Sequence, residues 1–399
     1  MRICMVLEKA FPPDIRVEKE ARSLTKAGHK VVVLCNKGPN QVEEEDVKSL
    51  KIRRLGKPAP LAGQVTDLIW RFFLINPRWL RRIIKTVKEE GCQVVCVHDL
   101  PLVKTGILAA RMTGVPITAD LHENYPEAMR LWRNLSFRER FLLGRQRFKR
   151  LELKSVRRVD HIIVVVDEAK KRLVSLGIPK DKISVVMNTE EADFLQKQAI
   201  HPEIIDKFRN RFVISYIGGF GFHRGIDVAV KAFPLIMKTV PDAHLLLVGD
   251  GNNKQELEDL CKELNLNEKV TFTGWVDSRY VPTYIAASDI GLVPHRKSPH
   301  TDTTIPHKLF QYMTSGKPVV TSDAEPLKRI VSDAQAGLVF PSGDSKKLAG
   351  AVVRLRENKE LARRLGENGR KAVATRYNWE IEGKKLVDSY ERLATDART

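Results

Sequence analysis

The sequence predicts an α/β protein built from two doubly wound parallel sheets in tandem, and three observations carry that prediction. Short apolar, β-branched runs alternate with segments of helical period along nearly the whole chain. These runs are continuous rather than alternating, which marks strands buried on both faces, as in parallel sheets covered by helices. The series breaks at a polar stretch, Asn188–Asn210, and then restarts, which fits a chain of 399 residues, too long for one ordinary core.

The first series of strands is read at 2–7 (RICMVL), 30–35 (KVVVLC), 93–99 (QVVCVHD), 116–122 (PITADLH), 160–166 (DHIIVVV) and 183–187 (ISVVM). Amphipathic segments lie between them. Arg16–Ala27 is closed by Gly28 and Pro101–Thr113 by Gly114, the expected helix stops. The second series is read at 212–219, 243–251, 269–275, 288–294, 317–323 and 336–344. Sheets of this kind bind ligands beyond the carboxyl ends of their strands, so two of them are expected to face a central cleft.

Composition narrows the class of function. The formal charge is +19, most of it in residues 1–200. Arg130–Arg158 holds eleven basic and two acidic residues, and Trp70–Lys88 (WRFFLINPRWLRRIIKTVK) interleaves aromatics with cations. Such surfaces suit anionic lipid headgroups or nucleic acid, although a solvated helical face would look the same. The five cysteines match no zinc or redox spacing and read as buried reduced thiols. The opening MRICMVLEK is a strand, so a secretory signal is not expected, and Leu68–Ile75 is too short and too charged to span a bilayer.

Two corners carry the chemistry. YIGGFGFHRGID runs from strand to helix through Gly218, Gly219, Gly221 and Gly225, with Arg224 before the helix. Glycines let backbone N–H groups approach a phosphate, the helix start adds partial positive charge, and Arg224 adds a forked cation. A plain glycine turn remains the alternative. A dinucleotide fingerprint is disfavoured, because Arg224 stands where its third glycine belongs. The second corner is HTDTTIPHKLFQYM. Here Thr303 or Thr304 is expected to cap a helix, with Pro306 in its first turn, Lys308 one turn in, and Gln311 on the face of Lys308. An ordinary capped helix is the alternative reading. Two anion cradles with a hydroxyl-binding amide beside them suit a nucleotide sugar.

The runs IPHKLFQYMTSGKPVVTSD, VGDG, VTFTGWV and GLVFPSGD, with RYNWEIEGKKLVDSY near the end, resemble family 4 of the retaining glycosyltransferases. FPPDIRVEKEARSLTKAGHKVVVL, VHDLPLVKTGILAARMTGVPITADLHENYPE and DHIIVVVDEAKKRLVSLGIPKDKISVVMN resemble that family's acceptor domain. The resemblance implies the GT-B fold, with two Rossmann-like domains at 1–190 and 191–378 and a last helix, about 379–399, returning to the first. It implies a nucleotide-diphosphate-sugar donor held by the second domain. Arg224 takes the place of the family's phosphate-binding lysine, while Gly219 stands where a second cation is usual, leaving more to Lys308. Thr303 and Gln311 replace the family's paired glutamates. Gly249 and Gly251 of VGDG join the donor side with Gly218, Gly221 and Thr304. His122 takes the place of the acceptor-side histidine near the anomeric carbon, with Asp99 and Glu123 as weaker candidates. Pro13 and Arg16 lie in the loop that approaches acceptor and phosphate, without the family's usual glycine pair.

The expectation is therefore a retaining glycosyltransferase that uses no metal and no cofactor. Its acceptor is expected to be lipid-linked or an acidic glycan, at an anionic membrane surface, in a peripheral cytoplasmic setting and without nucleic acid. A catalytically degenerate nucleotide-sugar-binding or scaffold subunit and a nucleotide-sugar epimerase are the alternatives.

Overall fold

The computed structural model describes residues 1–47, 50–129, 144–195 and 199–396. The chain forms two compact units, Met1–Met187 with Glu382–Thr399, and Asn188–Ile381.

In the first unit, eight strands among the described residues form one sheet. They are β1 (Arg2–Ala10), β2 (Lys30–Asn36), β3 (Glu44–Val47), β4 (Leu50–Leu55), β5 (Val94–His98), β6 (Ile117–Leu121), β7 (His161–Val164) and β8 (Ile183–Val185). The order is β3-β4-β2-β1-β5-β6-β7-β8. All neighbours are parallel except β3, which runs antiparallel to β4. Strands β3 and β4 are absent from the sequence expectation because EEDV and LKIRRL lack a continuous apolar run. Their arginines are absorbed by ion pairs at the sheet's end: Arg54 Nη2 lies 2.6 Å from Glu45 Oε2, and Arg53 Nη1 lies 2.5 Å from Glu89 Oε2. The helix after β1 spans Ile15–Lys26 and is capped by Asp14, whose carboxylate accepts from Val17 N–H at 3.1 Å.

The last helix, Trp379–Asp396, joins this unit from Glu382 onward. There the Glu382 carboxylate accepts from Met187 N–H at 2.8 Å, Ser389 Oγ donates to Ser184 Oγ at 2.8 Å, and Leu386 and Tyr390 are buried. All five cysteines are buried and unbridged.

The second unit holds β9 (Phe212–Ile217), β10 (Ala243–Val248), β11 (Val270–Phe272), β12 (Ile290–Val293), β13 (Val319–Ser322) and β14 (Gly337–Phe340). The order is β11-β10-β9-β12-β13-β14, every pair parallel. Its core joins Ile214, Tyr216, Leu245, Leu247 and Leu292 of the strands to Val230 and Phe233 of the Ile226–Met237 helix. Strand β9 lies between β10 and β12, so the chain leaves it in opposite directions. In sheets of this kind ligands bind at such a switch point, here the carboxyl ends of β9, β10 and β12. The polar stretch read as a linker begins the second unit, and its described residues form a single bridge from Glu190 to Asn378 and short helical turns at Pro202–Ile205 and Asp206–Phe208.

Candidate active site

At the switch point of the second unit, the loop after β9 turns through Gly218 with φ +129° and ends in a short 3₁₀ turn, Phe222–Arg224, closed by Gly225 with φ +67°. A Cβ on Gly225 would fall 2.0 Å from the Pro294 carbonyl, so glycine there lets the loops after β9 and β12 touch. That contact brings His295 to Arg224, whose Nη1 lies 3.3 Å from His295 Nε2. The β10 loop also packs closely, since Cβ atoms on Gly249 and Gly251 would strike the carbonyls of Gly218 and Phe220. Gly249 and Gly251 thus shape the loop that carries Gly218, Gly219 and Gly221.

Lys308 is the second residue of the helix His307–Thr314, and its side chain is buried. Its Nζ sits 3.5 Å over the Tyr216 ring and has no hydrogen-bond partner among the described residues. A Cβ on Gly218 would come within 2.9 Å of it. Burial, and then the Arg224 charge, hold the lysine well below its ordinary value. The same two cations bear on neighbouring imidazoles. Burial and then Arg224 push His223 down to about 3, and burial, Arg224 and Lys308 push His295 well below its usual value. Arg224 and Lys308 therefore act on one small volume, lined by neutral imidazoles, where no carboxylate among the described residues pairs with either side chain.

The capping expectation is corrected by the structure. Neither Thr303 nor Thr304 caps a helix. The helix starts at His307 with Pro306 at the capping position and no side-chain cap. Thr303 ends a separate 3₁₀ turn, Thr301–Thr303, where its hydroxyl donates to the Pro299 carbonyl at 2.8 Å, and Thr304 is extended. Lys308 accordingly sits at the very start of the helix rather than one turn in. Gln311 is buried and donates its amide to the Glu190 carboxylate at 3.0 Å.

In the first unit the parallel register sets His98 of β5 beside Asp120 of β6. His122 follows β6, and its Nε2 lies 3.0 Å from Asp120 Oδ2, while His98 Nδ1 lies 3.3 Å from the same oxygen. Arg16 binds the other oxygen at 3.0 Å, reaches Glu20 at 2.8 Å, and donates to the Val186 carbonyl at 3.0 Å. Only 3% of Arg16 is exposed, so it braces Asp120 instead of meeting an acceptor as the resemblance implied. Burial alone would raise the Asp120 carboxyl, but Arg16 and then His122 hold it well below the carboxylate range. Burial opposes charge on His122, yet Asp120 and then Asp99 outweigh it and raise the imidazole to about 9. Asp99, with φ +64°, places its carboxylate 3.9 Å from His122 Nδ1, and burial raises that carboxyl. Glu123 and Pro13 are exposed at the same strand ends.

His98, Asp120 and His122 offer three donor atoms within 4.8 Å of one another, the donor types of a metal site. Both Asp120 oxygens are already engaged, one by a guanidinium, and a divalent ion would have to displace that cation or lie beside it. As built, the group is an ion-pair network that charges His122.

Sequence reading missed Asp120, Tyr216, His223, His295 and Glu190. Only Asp120 left a signal, the D-x-H spacing at a strand end, which sets the two side chains on the same side of the chain as it leaves β6. Of the basic surfaces, residues 130–143 lie outside the described residues, and Trp70–Lys88 spans the end of one helix and most of a second, Pro77–Glu90.

Comparison with known proteins gives this geometry its context. The model for "Glycosyl transferases group 1" matches residues 197–372, and that for "Glycosyltransferase Family 4" matches residues 15–189. A phosphatidyl-myo-inositol mannosyltransferase of Mycobacterium leprae is 24% identical over 401 residues, 99% of this chain and 98% of that protein. Sucrose-phosphate synthase from Thermosynechococcus elongatus aligns at TM-score 0.80 and 20% identity, covering 99% of this chain and 100% of that one. Anabaena HepE, solved with UDP-glucose, aligns at TM-score 0.75 and 16% identity over 98% of this chain and 99% of that one. The fold shared with these structures is GT-B.

Proposed function

With its two halves matched in order, this chain belongs to family 4 of the glycosyltransferases, and from that premise we propose that it moves a sugar from a nucleotide-diphosphate sugar to a lipid-linked or glycan acceptor with retention of configuration. The observation that carries the reading is the buried Lys308 amine, unpartnered among the described residues and beside Arg224. A buried cation is costly unless it meets a counter-charge, so this corner is organised for an anion that arrives with the substrate. In the reaction the bond from the anomeric carbon to the phosphate oxygen breaks, and a bond to the acceptor hydroxyl forms on the same face. Arg224 and Lys308 take up charge on the departing diphosphate, which in turn receives the acceptor's proton. His122, whose charged form the Asp120 and Asp99 carboxylates favour, is assigned as hydrogen-bond donor to the sugar.

No metal or other cofactor is required in this scheme, because the two side-chain cations neutralise the leaving group. Chelation should then leave the rate unchanged. Membrane docking is proposed to be peripheral, on an anionic cytoplasmic face. No helix among the described residues is long and apolar enough to cross a membrane.

A thermal-shift series with UDP-, GDP-, ADP- and TDP-sugars tests the donor. One base class is expected to raise the melting temperature clearly, since ligand at a hundredfold over Kd stabilises by about 2.7 kcal/mol. No shift with any of the four would remove the reading. A second reading, a nucleotide-sugar-binding subunit without turnover, is favoured by the Thr303 hydroxyl and the Gln311 amide, both engaged within the protein. Tight nucleotide binding with neither transfer nor hydrolysis would select it.

A further inference from the structure

The helix Pro60–Phe73 buries none of its residues. Leu61, Val65, Leu68 and Phe72 recur at helical spacing and are 74%, 49%, 56% and 56% exposed, with Phe73 following at 63%. A soluble surface has no reason to keep such a stripe in water. At the aromatic end of this helix lies a hollow of about 350 Å³, walled by Phe72 and Phe73. Its other wall is cationic: Lys104 and Arg147, then Arg150, Lys154 and Arg158.

The cations divide by task. Lys104 Nζ donates to the Phe73 carbonyl at 2.6 Å, and Arg147 donates to the carbonyls of Arg71 and Phe72. These two fasten the aromatic end of the exposed helix to the cationic wall. Arg150, Lys154 and Arg158 follow one another at four-residue intervals along and just beyond the helix Arg145–Val156. Like charges at that spacing repel, and no carboxylate among the described residues lines the hollow or pairs with these three. Burial and then Arg147, Lys154 and Arg158 lower Lys104, which registers the same unbalanced field.

We propose that this hollow seats the phosphate of an anionic lipid in a bilayer, with Phe72, Phe73 and the stripe behind them entering the acyl boundary. Apolar side chains and uncompensated cations side by side match a lipid headgroup, where charge and hydrocarbon meet within a few ångströms. A free phosphate would use the cations and leave the aromatics in water. The inference deepens the membrane-acceptor reading above by naming the anion and its seat, and it does not require that transfer occur.

The test is sedimentation of the full chain with phosphatidylcholine vesicles, with and without phosphatidic acid. The wild type is expected to bind only the phosphatidic-acid vesicles and to be released by salt. Arg150→Ala with Lys154→Ala should weaken binding about twenty-five-fold, from about fivefold per cation. Phe72→Ser with Phe73→Ser should release the protein from the vesicles, and melting temperatures would confirm that both double variants fold. Equal binding to both vesicle types, or wild-type binding by the serine variant, would overturn the proposal. Both double variants should keep the nucleotide-sugar thermal shift, which separates this seat from the donor cradle. Vesicle binding without any nucleotide shift would sink the transferase reading and leave this one standing.

Discussion

Replacing Lys308 with methionine is expected to cut turnover by about 10²–10³-fold, or about 2.7–4 kcal/mol, while leaving the protein as stable as before or more so. The two effects share one cause. The Lys308 amine is buried over the Tyr216 ring without a partner among the described residues, and burial and Arg224 both disfavour its charge. In the empty protein a thioether of similar length would suit that pocket better than an amine. During transfer the diphosphate supplies the missing counter-charge, and methionine cannot answer it. Urea denaturation and steady-state rates on the same preparations check the pair. A variant that turns over normally, or that fails to fold, would refute the assignment.

Asp120→Asn should damage the first unit in two separable ways. The carboxylate is fully buried and bound by Arg16 and His122, so its loss breaks a buried ion pair and leaves the guanidinium to Glu20, a change that typically costs about 3–5 kcal/mol. The second effect is on pH dependence. The His122 imidazole, raised to about 9, contributes stability that is complete below the ordinary histidine value near 6.5. That contribution is lost as pH rises through about 9. Wild-type activity should therefore fall on the alkaline side near pH 9. In the variant Asp99 still raises the imidazole, but burial and Arg16 lower it without opposition from Asp120, so the fall should move toward acid. A pH–rate profile measured below the variant's melting temperature reads this directly. An unmoved inflection would show that His122 owes its charge to something other than Asp120.

How much of this was legible in the sequence follows from how local each determinant is. Runs such as VVVLC and HIIVVV announce central parallel strands because burial on both faces leaves no room for alternation. Strands β3 and β4 gave no such signal, since their charges are satisfied by Glu45, Glu89 and other partners that only the fold brings near. Gly225 and Arg224 could be read because a strand-to-helix glycine turn is a local device. The capping role given to Thr303 failed for an equally local reason: a 3₁₀ turn intervenes, and the hydroxyl finds the Pro299 carbonyl first. The environments of Lys308 and His122 were invisible. Tyr216 and His295 reach Lys308 and Arg224 from other strand ends, and Asp120 gains its partners from the β5–β6 register and from the Ile15–Lys26 helix. Side chains that change each other's charge across a sheet leave no pattern along the chain.

The central claim, that burial disfavours charge on Lys308 and a bound diphosphate restores it, is most directly tested by calorimetry of nucleoside-diphosphate binding over a range of pH in buffers of different ionisation enthalpy. The wild type should take up a proton as it binds, so its apparent enthalpy should vary with the buffer, and Lys308→Met should bind without that dependence. A buffer-independent enthalpy in the wild type, or the same proton uptake in the methionine variant, would contradict the account.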